Sequence, residues 1–191
     1  EGPSPKLERW THLAITYDKN TSLKLYVNGE LIGSASAAGF PIKDSAPWFG
    51  IGYDNNHPSF DGIIDDVRKY GRALNETEIQ ENYNGNITVN DLENWWKFNE
   101  RSGNVAHDDI GGNDGTIYEA EWIPYWEAAL SFDGVNDYVE IPDVIGGEST
   151  FTIEAWVYPT SFGEDKTVMG YWRGSYELLL WYDVGLSLIH I

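Results

Sequence analysis

The chain has 191 residues, 41% of them hydrophobic and 15% aromatic, a content that packs a core and excludes disorder. Its 31 acidic and 12 basic side chains give a formal net charge of −19, which repels polyanions, excludes nucleic acid and anionic membranes as partners, and favours cations as small ones. Cysteine is absent, which excludes disulfides, thiolate metal sites and Cys nucleophiles, and no apolar run approaches the ~18–20 residues that cross a bilayer.

The length fits one full domain or two partial ones. The first residues, "EGPSPKLERW", contain neither an initiator Met nor a signal peptide, so the numbering is expected to begin inside a longer precursor. Period-two patterning then dominates. "THLAITYD" puts Leu13, Ile15 and Tyr17 on one face, and "LKLYVNG" does the same with Leu23, Leu25 and Val27. "DKNTS" joins them as a hairpin loop. Asn28-Gly29 tolerates the two positive φ angles of a type I′ turn and returns the chain through "ELIGSAS", which completes a three-stranded meander. "WFGIGYD" and "GIIDDVRKY" are further strands, separated by the polar loop "NNHPSFDG". Asn75 caps one short helix, "ETEIQENY", with Glu78 as its reciprocal partner and Ile79 and Tyr83 at i, i+4.

"NGNITVNDLEN" is a polar connector. Strands resume at "NWWKFNE", "AALSFDG", "NDYVEIP", "STFTIEAWVYP", "KTVMGYW" and "YELLLWYD", all short and bounded by turns. Such a series with a single small helix predicts an all-β antiparallel sandwich rather than a βαβ fold. The tail "LSLIHI" breaks the rhythm, is either a genuine strand end or a stretch foreign to the domain, and is read as carrying no function.

"WTHLAITYDKNTSLKLYVNGELIG" and "FDGIIDDVRKYGRALNETEI" resemble the second half of a laminin-G-like, concanavalin A-like jelly-roll domain. "WWKFNERSGNVAHDDIGGNDGTI", "ALSFDGVNDYVEIP" and "FTIEAWVYP" resemble the first half of the same family. The resemblance therefore implies that residues 1–85 end one copy, that 86–94 connect, and that 95–191 begin the next. Each half alone exposes strand edges and an apolar face. The expectation is that the halves pack as one monomeric jelly roll in circularly permuted order, with one middle strand missing or supplied by the tail.

Asp65 shares a period-two face with Ile63 and Val67, and Glu100 shares one with Trp96 and Phe98. A carboxylate on an apolar strand face must be exposed, hydrogen-bonded or bound to a cation. The resemblance implies neighbouring first and last strands with a structural Ca²⁺ between acidic residues, here Asp65 and Glu100, with Asn99 standing where the family usually has Asp. The alternative is two strand-end carboxylates held by backbone N–H groups. "DDIGGNDG" and "DGVND", the latter bounded by Asp133 and Asp137, read either as Ca²⁺ loops or as turns alone, and neither has the terminal Glu of an EF-hand.

Aromatic residues beside polar loops suggest a sugar platform: Trp48, Tyr53 and His57 around "GYDNNHP", Tyr171 and Trp172 in "YWRGSY", and Tyr125 and Trp126. Sandwich-core aromatics are the alternative. Glucanases of this class alternate two Glu and an Asp on one strand, and no such strand is present. The reading is thus a non-catalytic carbohydrate-binding module of a secreted or cell-surface multidomain protein, with a glycan or a cell-surface protein as partner. The alternatives are an adhesion or spacer domain in a tandem surface array, or a glycoside hydrolase fragment.

Overall fold

The computed structural model describes residues 6–38, 42, 48–53, 59–123, 128–161, 166–173, 176–183 and 186–190, with side chains described up to residue 170. In chain order the strands are β1 (Thr11–Asp18), β2 (Ser22–Val27), β3 (Glu30–Ser36), β4 (Phe49–Ile51) and β5 (Asp61–Tyr70). Helix α1 (Glu76–Tyr83) follows, then β6 (Leu92–Trp96), β7 (Val105–Ala106), β8 (Gly115–Tyr118), β9 (Glu121–Trp122) and β10 (Leu130–Asp133). The last strands are β11 (Tyr138–Ile141), β12 (Thr150–Pro159), β13 (Lys166–Arg173), β14 (Tyr176–Asp183) and β15 (Leu186–His190).

The strands form two antiparallel sheets over one core, an all-β jelly-roll sandwich. The first sheet runs β3-β2-β1-β12-β5-β10-β9 with β6 also on β5, and the second runs β15-β14-β13-β4-β11-β8-β7. Both sheets combine strands from before and after the connector. β12 lies between β1 and β5, with Thr11 opposite Val157 and Ile64 opposite Val157 on its other side, and β4 lies between β11 and β13.

Alternation decides what is buried. Leu13, Ile15, Tyr17, Leu25, Val27, Ile153 and Val157 of the first sheet meet Phe49, Ile51, Val139, Ile141 and Met169 of the second in a single cluster. Truncating one such Leu or Ile to Ala costs about 2–5 kcal/mol. Asn28 and Gly29 have φ of 51° and 79°, the positive pair the β2–β3 turn needs. A second, smaller cluster of Ala14, Tyr26, Tyr70, Leu74 and Ile79 lies on the outer face of the first sheet, where α1 covers it.

Two expectations change, and the tail, left open as a strand end, is settled. The strand expected at "NWWKFNE" ends at Trp96, because β10 takes the edge of β5 beyond that point: β6 pairs with Val67–Tyr70 and β10 with Asp61–Ile64. Asp65 does not share a face with Val67. Asp66 has φ 57° and the β5–β12 register slips there, so Ile64 and Val67, three residues apart, both enter the core and Asp65 stays with Ile63 on the outer side. The tail is a strand, β15, paired with β14. Strands β7 and β9, two residues each, are too short to carry a periodic signal. Among the described residues no helix is long and apolar enough to cross a membrane.

Candidate functional site

The second sheet turns four aromatic rings outward. On β11, Val139 and Ile141 are buried, so Tyr138 and Glu140 face out; on β8, Ile117 points in and Tyr118 out. The register sets Tyr118 directly opposite Tyr138, and their rings stack at 4.5 Å with 15° between planes. Tyr53 approaches Tyr138 at 5.6 Å, and Trp48 stacks on it at 6.0 Å and 26°. Gly50 is the outward residue of β4 between them. A Cβ there would lie 2.1 Å from the Tyr53 carbonyl oxygen and 2.9 Å from the Trp48 ring, so only glycine lets this arch close over the strand. Tyr118 is 38% exposed, and Trp48, Tyr53 and Tyr138 are half-buried, leaving ring surface open to solvent.

Burial, with Tyr118, Glu140 and Tyr53 nearby, raises the Tyr138 phenol above its ordinary value, so it stays neutral and can donate. Stacked rings edged by phenolic hydroxyls, the Glu140 carboxylate and Thr116 offer flat apolar faces with polar rims. Trp48 and Tyr53 were expected here. Tyr118 and Tyr138 were missed, although their alternation with Ile117 and Val139 was a usable signal. His57, Tyr125 and Trp126 lie outside the described residues. Tyr171 and Trp172 lie on β13, with their side chains outside the described set.

The carboxylates expected to bind calcium are placed as follows. Asp65 sits opposite Trp156 on the β5–β12 ladder. Glu100 accepts the His107 N–H at 2.7 Å, beside an exposed Asn99. Asp133 accepts the Val135 N–H at 2.8 Å in an Asx turn, and Asp137 reaches back to accept the Asp133 N–H at 2.6 Å and closes the loop. Burial, joined by Asp133, Glu119 and Glu121, raises the Asp137 carboxyl despite that bond. In the other loop, Asp108 takes four N–H donors: Asn94 Nδ2 at 2.7 Å and the backbones of Trp95, Ile110 and Asn113 at 2.9, 3.1 and 3.0 Å. Burial opposes its charge, but these donors outweigh burial and hold the carboxyl below its ordinary value. Its lone pairs are used by the turn. Among the described residues no group of three or more His, Cys, Asp or Glu gathers to hold a metal.

A buried polar network under α1 was not foreseen. Glu154 of β12 is 0% exposed; it accepts from Arg68 Nη1 at 2.7 Å, from Tyr70 Oη at 3.2 Å and from Asn82 Nδ2 at 2.9 Å. His12 Nε2 lies 3.3 Å from its second oxygen. Burial works against the charge, but His12, Arg68 and Asn82 outweigh it and hold the Glu154 carboxyl down to about 2. Arg68 also binds Asp66 and lies 5.2 Å above the Trp95 ring. The same burial, with Glu154 adjacent, raises the Tyr70 phenol. Glu154 is closed to solvent, and the network fastens β1, β5, α1 and β12 together.

Residues 1–80 match the family model of the concanavalin A-like lectin/glucanases superfamily, and the match ends inside α1. Over 151 residues the chain is 26% identical to Paraclostridial mosquitocidal protein 1 of Paraclostridium bifermentans, covering 70% of this chain and 11% of that protein. The chain thus spans about a tenth of that relative's length. No solved structure matches. Residues 1–80 are thus similar to the concanavalin A-like lectin/glucanases superfamily, and the chain carries an all-β antiparallel sandwich.

Proposed function

We propose that this is a non-catalytic carbohydrate-binding module of a secreted or cell-surface multidomain protein, and that the ring cluster centred on Tyr138 is its glycan platform. The observation that carries this is the stack of Tyr118 and Trp48 on Tyr138, with Tyr53 tilted against it, on an outward sheet face with a carboxylate beside it. The superfamily match and the bacterial toxin relative support a lectin-like role. A glycan array followed by titration tests it. Saturable binding to at least one glycan, weakened tenfold or more by Tyr138→Ala and by Trp48→Ala, is the expected result; binding unaffected by both variants overturns the platform. Laminarin and xylan should release no reducing sugar, because no strand alternates the acidic residues that glycosidic cleavage needs.

The second reading is an adhesion or spacer domain within a tandem array. A match covering 70% of the chain crosses the connector 86–94 wherever it starts, so the order of segments found here also runs colinear in the toxin. Binding to an immobilised surface protein with an empty glycan array would favour this reading.

A further inference from the structure

Glu140 stands on the same outward sheet face as the ring cluster. It follows Tyr138 by two residues on β11, a strand rise of about 6.7 Å, and the register sets it between Thr116 of β8 and Gly50 of β4. Thr116 is exposed and Glu140 half-buried, so a hydroxyl and a carboxylate border the stacked Tyr118 and Tyr138 rings along one side. Gly50 adds no side chain to that row.

The carboxylate is not offset by a neighbour. β4, β7, β8 and β11 contain neither Lys nor Arg. Among the described residues, Lys24, Arg68, Lys69, Arg72 and Lys97 pair with carboxylates on or beside strands of the first sheet, and no ion pair includes Glu140. The raised Tyr138 phenol records its reach: burial comes first among the causes, and Tyr118, Glu140 and Tyr53 follow. At Asp137, one residue before, burial and then Asp133, Glu119 and Glu121 raise the carboxyl. Negative charge therefore flanks the central ring from both directions along the chain.

An uncompensated carboxylate beside flat ring surfaces sorts ligands by charge. Ionised, it only accepts, so it takes hydroxyl donors, and such charge-assisted bonds are about twice as strong as neutral ones. A carboxylate or sulfate on the ligand offers no donor and meets like-charge repulsion. We propose that Glu140 sets the charge specificity of the ring cluster, so that the site takes neutral hydroxylated glycans and rejects those carrying sialic acid, uronic acid or sulfate. Hydroxyls of the bound sugar donate to Glu140 while an apolar face of the pyranose lies on the rings. This deepens the glycan-binding reading and rests on it.

Matched pairs on the glycan array test it, each a neutral glycan and its acidic counterpart: lactose with sialyllactose, N-acetyllactosamine with its sulfated form, laminarin with sulfated laminarin. The whole chain is then titrated with the pair that gives the strongest signal. The neutral member should bind at least tenfold more tightly than the acidic one, and the gap should narrow at ~1 M salt, where screening shortens to about 3 Å. Glu140→Gln keeps the shape and removes the charge; it should weaken the neutral member, strengthen the acidic one and bring the gap below threefold. Glu30→Gln, on β3 of the other sheet, removes the same net charge and should leave the gap as it was. An acidic member that binds as well as its neutral partner overturns the proposal, as does a gap that Glu140→Gln leaves unchanged or that Glu30→Gln closes equally. Those results leave the ring cluster standing as a glycan site, whereas an array silent for every glycan removes that reading and this one together.

Discussion

Arg68 Nη1 reaches Glu154 Oε1 at 2.7 Å, both side chains closed to solvent, one from before the connector and one from after it. Breaking such a pair on one side leaves a buried charge uncompensated, at a cost of about 3–5 kcal/mol. Arg68→Met should therefore lower urea-measured stability by about that much. Arg68→Met with Glu154→Leu should recover part of it, because the desolvated charge goes too. Equal loss in the single and double variants would show that Arg68 acts by packing on Trp95 alone.

Acid should release the same fastening. Glu154 is held down to about 2 in the folded state against an ordinary value of 4.5, so its contribution is complete above 4.5 and fades as pH falls toward 2. Glu78 and Asp108 are also lowered and add in the same direction. Melting temperature should fall steeply below pH 4.5 in the native chain. The gap between native and Glu154→Gln should shrink over that interval, and a gap independent of pH would assign the stabilisation to shape instead of charge.

The helix cap has a reciprocal pair of bonds: Glu78 N–H to Asn75 Oδ1 at 3.0 Å and Asn75 N–H to Glu78 Oε2 at 2.9 Å. Asn75→Ala should cost about 0.5–2 kcal/mol, and Asn75→Asp much less. Arg72, doubly bonded to Glu78 at 2.7 and 2.8 Å, ties this cap to the end of β5. Denaturant melts of the two variants check it.

Asp108→Ala would leave four N–H groups without their acceptor. Each stranded donor costs about 1–3 kcal/mol where water cannot reach it. Thermal unfolding should show a loss well beyond that of the exposed Asp109→Ala, and parity between the two would mean that water replaces the carboxylate.

Pairing within one chain predicts a monomer. Light scattering should give a mass near 21.6 kDa with one cooperative transition, and a doubled mass would show the halves exchanging between molecules.

How much of this was legible follows from distance along the chain. The Asn28-Gly29 turn and the Asn75–Glu78 cap are local, and their residues suffice to read them. Inward residues such as Leu13 and Val139 follow from period-two alternation. Asp65 was read on the wrong face because a bulge at Asp66 resets parity, and the non-glycine residue there leaves no mark in the pattern. Glu154 was passed over because an outward carboxylate looks solvated until α1 is known to cover it. Tyr138 was missed for a related reason: its three ring partners come from β8 and the flanks of β4, and no sequence spacing reports that meeting.

The interleaving of strands also carries a kinetic cost during synthesis. β5 finds its neighbours β12, β6 and β10 only in residues that emerge later, and β1 waits for β12 to fill its second edge. The nascent amino-terminal half therefore holds an unsatisfied strand edge and an apolar face for most of translation. Pairings this far apart in sequence pay loop closure before any contact rewards them, so folding is slow and the waiting species is the sticky one. Overproduction should strain the ribosome-associated chaperones first, with yield governed by how quickly Glu154 is delivered to Arg68 and not by the stability of the finished sandwich.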